Sequence, residues 1–372
     1  MDKIAVIVGV GADIGAQPYL NKLSKVLCGK GYIVEYVYWD RGGEGGVKSC
    51  SGIKFTPLYK GFSRVKLTLL LHYVCWSFLV LKYFLTSSTE RKLFFLSRLD
   101  AAAPAFFVSF LKGVDYVYLD RDAAHMTYKL GFLKPLFRLF ETAIGKRALV
   151  HMIPGESRNF TGYKNVRIVE NTPSSEELSA AQSLFLERGG RKDFRKTIYI
   201  NGWLSEMRGM KFILDVVRRL SPEQFRVIIA GRPGCADADV LIKLPNIEYL
   251  GVVSNDEALS YYKESDLVLS FYDPTYEINR KAEPNKWYDC VYFGVKFITN
   301  KGLDTAQFFY KKNICLLIEY GDSNELFSAL MDFKHRPSVA QDFTAEGCEN
   351  FFPWDSKVSS IIDECEQKIS GF

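Results

Sequence analysis

The residues best suited to do chemistry lie between Tyr272 and Ile298, where Pro284, Asn285 and Lys286 are followed one helical turn later by Asp289. A short apolar run, Leu267 to Phe271, precedes the stretch and reads as a buried strand. Pro284 has no N–H, which the first helical position does not need, so the pattern predicts a helix starting near Glu283 to Asn285. A helix start presents free N–H groups and partial positive charge, and Lys286 adds a full charge, which makes an anion site. Asp289 falls on the face next to Lys286, where a carboxylate can accept hydrogen bonds from a sugar diol. Gly294 ends the helix, and Lys296 to Asn300 reads as the next strand. Phosphate at the helix start with ribose one turn in describes a nucleotide.

A site of this kind needs a parallel sheet to hold it, and the pattern supplies two. Ile4 to Val8 reads as a strand, Gly9 to Gly15 as a glycine-rich turn, Pro18 to Gly29 as a helix and Ile33 to Trp39 as a second strand. Gly9, Gly11 and Gly15 are spaced one residue too widely for G-x-G-x-x-G, although Asp40 ends the second strand where a dehydrogenase would hold ribose. Ile53 to Leu58, Leu93 to Leu96 and Asp115 to Leu119 continue the sheet, and the last is followed by Asp120-Arg121-Asp122 and His125. Carboxylates just past a parallel strand sit where α/β folds bind ligands, so Asp122 and His125 are candidates to face a ligand. The D-x-D spacing recurs at Asp237 and Asp239, so it is no metal signature by itself. A helix over Leu133 to Arg147 and strands at Ala148 to Met152 and Val166 to Val169 complete this half, and a polar linker is expected over about 170 to 195. The alternation then restarts: strands at Thr197 to Ile200, Phe225 to Ala230 and Ile247 to Leu250 lead to Leu267.

Val65 to Leu85 is apolar enough to cross a bilayer. Lys66, His72 and Lys82 argue against crossing, and so does the strand at Leu93 to Leu96, which belongs to the sheet already begun. A helix buried against that sheet, or one lying in a membrane interface, is expected instead.

With 372 residues the chain suits two domains. The eight cysteines are scattered, with no C-x-x-C, so neither zinc nor a disulfide framework is indicated and a cytoplasmic location is expected. MDKIAVIVGVG enters a strand at once, which does not read as a signal peptide. Residues 1–170 carry a net charge of +11 and the remainder −6, so an anionic partner such as a phospholipid surface suits the first half alone.

Taken together, Tyr272-Asp273-Pro274, Asn279-Arg280, Ala282, Pro284-Asn285-Lys286, Gly294 and Ile298 resemble the donor site of the glycosyltransferase group 1 family, also called glycosyltransferase family 4. Asp289 stands where that family has the Glu that holds ribose, and Lys296 where it usually has Pro. N-G-W-L-S-E-M-R-G-M is similar to the family's G-R-L-x-x-x-K-G, with Gly202 retained, Arg208 matching the diphosphate-gripping Lys and Trp203 replacing the Arg. Ile228 to Gly231 and Tyr249 to Ser254 are similar to segments near the base, which brings in Gly231 and Val253. The resemblance is good over 197–370 and holds only in outline over 1–170.

It implies a GT-B fold: two Rossmann-like doubly wound domains facing a central cleft, with a C-terminal helix crossing back. The expected divisions are 1–172 for the acceptor, 173–355 for the nucleotide-sugar and 356–372 for the helix. The loop with Gly11, Asp13 and Gly15 is assigned to the cleft. The implied reaction transfers a sugar from a nucleotide-sugar, UDP favoured over GDP, with retention and without metal or other cofactor. Arg208, Lys286, Pro284 and Asn285 would meet the diphosphate, Asp289 the ribose, Asp122 and His125 the acceptor or the transferred sugar, and Glu283 or Glu277 the sugar, since Lys281 occupies the family's usual acid position. The implied acceptor is a glycan, polyprenyl-diphosphate-linked as in relatives that build surface polysaccharide, and no nucleic acid is expected. A nucleotide-sugar epimerase and a non-catalytic binder stay open, whereas a nicotinamide oxidoreductase leaves the Pro-Asn-Lys helix unexplained.

Overall fold

The strands Ile4–Val10 and Leu267–Leu269 are apolar along their whole length, because helices cover both faces of the sheets they join. A computed structural model describes residues 3–14, 17–42, 52–63, 65–128, 130–160, 162–190, 193, 195–335 and 351–369. Two compact units emerge, residues 1–169 with 355–372 and residues 170–354.

The first unit runs β1 (Ile4–Val10), α1 (Pro18–Gly29), β2 (Ile33–Asp40), β3 (Ile53–Lys60), α2 (Lys66–Thr86), β4 (Lys92–Ser97), α3 (Leu99–Val108), β5 (Tyr116–Leu119), α4 (Ala124–Thr127), α5 (Lys134–Arg147), β6 (Val150–Ile153) and β7 (Val166–Ile168). Its seven strands are ordered β3-β2-β1-β4-β5-β6-β7. Ile4 of β1 pairs in parallel with Ile33 on one side and Lys92 on the other, so the order reverses between β1 and β4. That reversal opens a crevice at the strands' carboxyl ends, the usual ligand position in such sheets.

Helix α2 explains the ambiguous apolar segment. Trp76, Val80 and Phe84, four residues apart, are fully buried against Val6, Trp39 and Phe94. Leu67, Leu70, Leu71, Val74 and Phe78 lie on the other side and are 58–71% exposed. Because α2 links β3 and β4, both in one sheet, it lies along the unit and does not pierce a bilayer.

The second unit comprises α6 (Ser175–Glu187), β8 (Lys196–Leu204), α7 (Met210–Val217), β9 (Phe225–Pro233), α8 (Ala236–Leu241), β10 (Ile247–Gly251), α9 (Asn255–Ser260), β11 (Leu267–Leu269), α10 (Glu277–Arg280), α11 (Asn285–Phe293), β12 (Lys296–Asn300), α12 (Asp304–Lys311), β13 (Cys315–Ile318) and α13 (Ser323–Lys334). Its strand order is β10-β9-β8-β11-β12-β13, again with a reversal, between β8 and β11. Alternate residues serve opposite layers: Ile198 and Ile200 pack with α7, α8 and α13, while Tyr199 packs with α6, α9, α11 and α12.

The expected linker contains a helix. Ser174 caps α6 through the Glu177 N–H while the Glu177 carboxylate accepts from the Ser174 N–H, a reciprocal cap that stabilises a polar helix start. Charged residues on its wet face masked the element, and Ala181 alone is fully buried. The last helix, α14 (Trp354–Lys368), belongs almost wholly to the first unit. Its Glu366 accepts from Lys3 at 3.0 Å and Tyr32 at 2.7 Å, and its Glu364 pairs with Arg167 at 2.6 Å.

Candidate active site

Within the second unit, the carboxyl ends of β8 and β11 meet the start of α11. Near the carboxyl end of β8 the backbone passes through Gly202, whose φ of +98° favours glycine. Gly231, its partner on β9, is more tightly constrained: a Cβ there would lie 1.8 Å from the Gly202 carbonyl oxygen. Lys286, in the first turn of α11, brings its ammonium to 3.2 Å from where a Gly202 Cβ would stand. Any side chain at position 202 would displace that cation.

Arg208 sits at the turn before α7, its guanidinium stacked over the Tyr272 ring at 3.8 Å. Tyr272 is itself clamped: its N–H donates to Asn300 Oδ1 at 2.9 Å and its carbonyl accepts from Asn300 Nδ2 at 3.0 Å. One Nη of Arg208 is buried without a hydrogen-bond partner among the described residues. The Lys286 ammonium is held down to a pKa of about 7, first by burial, then by the charge of Arg208, with Asp289 and Cys290 opposing. Arg208, Lys286 and Asp289 therefore share one electrostatic neighbourhood. Asp289 is 6% exposed, and its charge helps hold the buried Tyr199 and Tyr262 phenols protonated, after desolvation.

Two basic side chains drawn together, one held down by burial and by the charge of the other, with Asp289 beside them, form an arrangement that can receive a polyanion. The free N–H groups at the start of α11 add to it, with Pro284 as the capping residue and Asn285 the first helical one. Pro284 thus stands one position earlier than its chemistry suggested, in extended conformation at ψ 138°.

No sequence family and no curated relative matches the chain. Its fold is nevertheless shared along nearly the whole length by solved structures. A sucrose-phosphate synthase from Thermosynechococcus elongatus superposes with a TM-score of 0.71 at 12% identity, over 99% of each chain. Anabaena HepE in complex with UDP and glucose gives 0.65 at 15%, over 99% of this chain and 100% of that one. WaaG, a glycosyltransferase involved in lipopolysaccharide biosynthesis, gives 0.63 at 13%, over 96% and 99%. The fold is GT-B.

Other expected site residues are distributed through the GT-B units as follows. Val253 is half-buried just before α9, packed against the core on the α11 side of the sheet. Glu283 is 7% exposed, and its carboxylate accepts from the Tyr288 and Thr305 hydroxyls, each at 2.7 Å. That carboxylate is spent on joining α11 to α12, so no side-chain geometry at Glu283 directs it to a sugar. In the first unit, Asp122 is exposed whereas His125 is 2% exposed and bonded through Nδ1 to the buried Glu141. Both were expected to face the acceptor or the transferred sugar; the bond to Glu141 instead makes His125 an anchor of α4 on α5. Gly11, at φ +105°, is pinned by its carbonyl, which accepts from Tyr36 Oη at 2.9 Å; Asp13 is half-buried beside it, and Gly15 lies outside the described residues. Tyr262 and Asn300 escaped the sequence reading. A buried Asn ending a central strand, in register with the Tyr-Asp-Pro loop, is the signal that points to the second.

Proposed function

We propose that this chain is a glycosyltransferase that moves a sugar from a nucleotide diphosphate sugar, a UDP-sugar in preference to a GDP-sugar, to a glycan acceptor. The observation that carries the reading is the convergence of Arg208, Lys286 and Asp289 at the switch point of the second sheet. The bond to break joins sugar C1 to a diphosphate oxygen, so the demand on the protein is to stabilise negative charge growing on the leaving phosphate. Arg208 and Lys286 meet that charge, helped by the N–H groups at the start of α11. Loss of one such contact typically lowers the rate by about 10²–10³. Asp289 receives the ribose hydroxyls. The cationic pair supplies the role that a divalent metal plays elsewhere, and the reaction is proposed to be metal-independent and retaining. UDP in two of the structural relatives supports the choice of nucleotide.

The proposed acceptor is lipid-linked and is met at the inner face of the plasma membrane, in the assembly of a bacterial surface polysaccharide. The exposed apolar face of α2 supports this reading, together with Phe107, Phe110 and Leu111 at and beyond the end of α3 and Phe132, Leu136 and Leu139 in and just before the first half of α5. The net charge of +11 over residues 1–170 complements anionic headgroups.

A thermal-shift panel of nucleotide-sugars tests the donor assignment, followed by UDP release with and without acceptor. Stabilisation by one UDP-sugar, abolished in Lys286→Ala, is expected. A Lys286→Ala protein with unchanged donor binding and turnover would reject the assignment. UDP release that requires the acceptor excludes a mere binder.

A further inference from the structure

The first unit has its own switch point, between β1 and β4, and the residue that leaves β4 there is Arg98. Arg98 is not glycine yet adopts φ +77°, a costly conformation that aims its side chain across the strand ends. Arg41 leaves β2 on the same edge. The two guanidiniums converge on one oxygen: Arg41 Nη2 donates to Tyr73 Oη at 2.9 Å and Arg98 Nη2 at 3.3 Å. Arg98 Nη2 also reaches Tyr128 Oη at 3.2 Å. Tyr73 comes from α2 and Tyr128 from the end of α4.

The donors around this oxygen are not used up among the described residues. There, Asp100 is the one carboxylate within ion-pair distance, its Oδ1 3.4 Å from Arg98 Nε, and its other oxygen is taken by Trp76 Nε1 at 3.0 Å. Arg41 lies on the Trp39 ring at 4.2 Å, and its Nε is buried with no partner among the described residues. Two guanidiniums thus share one paired carboxylate, the more distant charge of Asp122 and two phenols. Burial opposes ionisation of Tyr73, but Arg98 and then Arg41 still hold its phenol below the ordinary range. A protein interior satisfies a guanidinium with carboxylate where it can, so a surplus donor turned toward a strand-end crevice indicates an anion supplied from outside. The planar fork of each guanidinium suits phosphate oxygens best.

We infer that Arg41 and Arg98, with the Tyr73 and Tyr128 hydroxyls, form a second anion subsite that takes a phosphate group of the acceptor. The description of that phosphate as the acceptor's rests on the transferase reading; the anion site itself does not. Tyr73 Oη occupies the place of a phosphate oxygen, and its helix carries the exposed apolar face on the side opposite Trp76. A phosphate at the head of a lipid would therefore reach the guanidiniums from the surface on which α2 lies.

Calorimetric titration with inorganic pyrophosphate tests the site, because it reports both anion sites independently of activity. Two binding events are expected in the unaltered protein. Arg41→Gln should remove or weaken by about tenfold or more the first-unit event, and Lys286→Met should remove the other. Arg98→Gln is expected to act like Arg41→Gln, and Arg41→Gln is the milder change because Arg41 has no ion pair to lose among the described residues. An unchanged melting transition of the first unit in calorimetry shows that either arginine variant is folded. Two events persisting in Arg41→Gln would overturn the subsite while leaving the donor reading intact. Two events persisting in Lys286→Met would overturn the donor reading and leave the subsite standing. The source of the phosphate is distinguished by competition: vesicles carrying a polyprenyl phosphate, or a soluble sugar phosphate, should displace pyrophosphate from the Arg41 site. Displacement by neither overturns its assignment to the acceptor.

Discussion

Lys286 concentrates the residue-scale argument. In the unfolded chain its ammonium would keep its proton to about pH 10.4, whereas in the folded, empty site it releases it near pH 7. A base whose folded pKa is lowered costs stability while it is charged, so this residue disfavours the empty fold below pH 7, and the cost fades as pH rises from 7 to 10. Lys286→Met should therefore raise the melting temperature of the ligand-free protein at pH 6, by roughly 2–4 °C, while abolishing stabilisation by UDP. Differential scanning calorimetry checks both; a variant that melts lower and still responds to UDP contradicts the placement of this cation. A diphosphate favours the charged form, so binding at pH 8 should take up close to one proton per UDP, and affinity should weaken as pH climbs above 7. Titration in buffers of different ionisation heat measures that uptake, and its absence in the unaltered protein would count against Lys286 as the phosphate cation.

At the scale of elements, α2 shows how one helix serves two solvents. Its Trp76–Val80–Phe84 stripe completes the core of the first unit, and the opposite stripe offers leucine, valine and phenylalanine to whatever lies outside. Replacing Leu70, Val74 and Phe78 together with Gln removes apolar area from the outer stripe alone. Binding to anionic vesicles should fall by roughly hundredfold, with thermal stability and UDP binding preserved. Cosedimentation measures the first and calorimetry the other two; unchanged vesicle binding would remove α2 from the membrane reading. In the second unit, α11 was legible because proline, glycine and alternating apolar residues punctuate it on both sides. Helix α6 was not, because the reciprocal cap of Ser174 and Glu177 is written in the same polar alphabet as a linker.

For the whole molecule, the chain's return matters most. Helix α14 follows the second unit in sequence yet buries Val358, Ile362 and Cys365 in the first, where Arg167, Lys3, Lys30 and Tyr32 hold its acidic face. A chain ending at Trp354 should lose stability in the first unit and keep it in the second. Calorimetry with and without UDP separates the two, since the nucleotide should still raise the melting of the second unit. A uniform loss, with no UDP response, would mean that α14 supports more than the unit it packs on.

The amino-acid sequence by itself determined the repeated strand–helix alternation, the break between two sheets and the Pro284–Asp289 helix, because these rest on local periodicity and on residues with special backbone geometry. It also brought Arg208 and Lys286 to attention one at a time, through their charge and the strand ends they follow. Only tertiary structure decided that Arg208 stacks on Tyr272 within electrostatic reach of Lys286, that Glu283 and His125 are engaged by Thr305, Tyr288 and Glu141, and that Arg41 and Arg98 converge on Tyr73. Each of these depends on strand order and on side chains far apart in the chain, and the energy of bringing two charges together belongs to their separation in space, which no spacing along the sequence encodes.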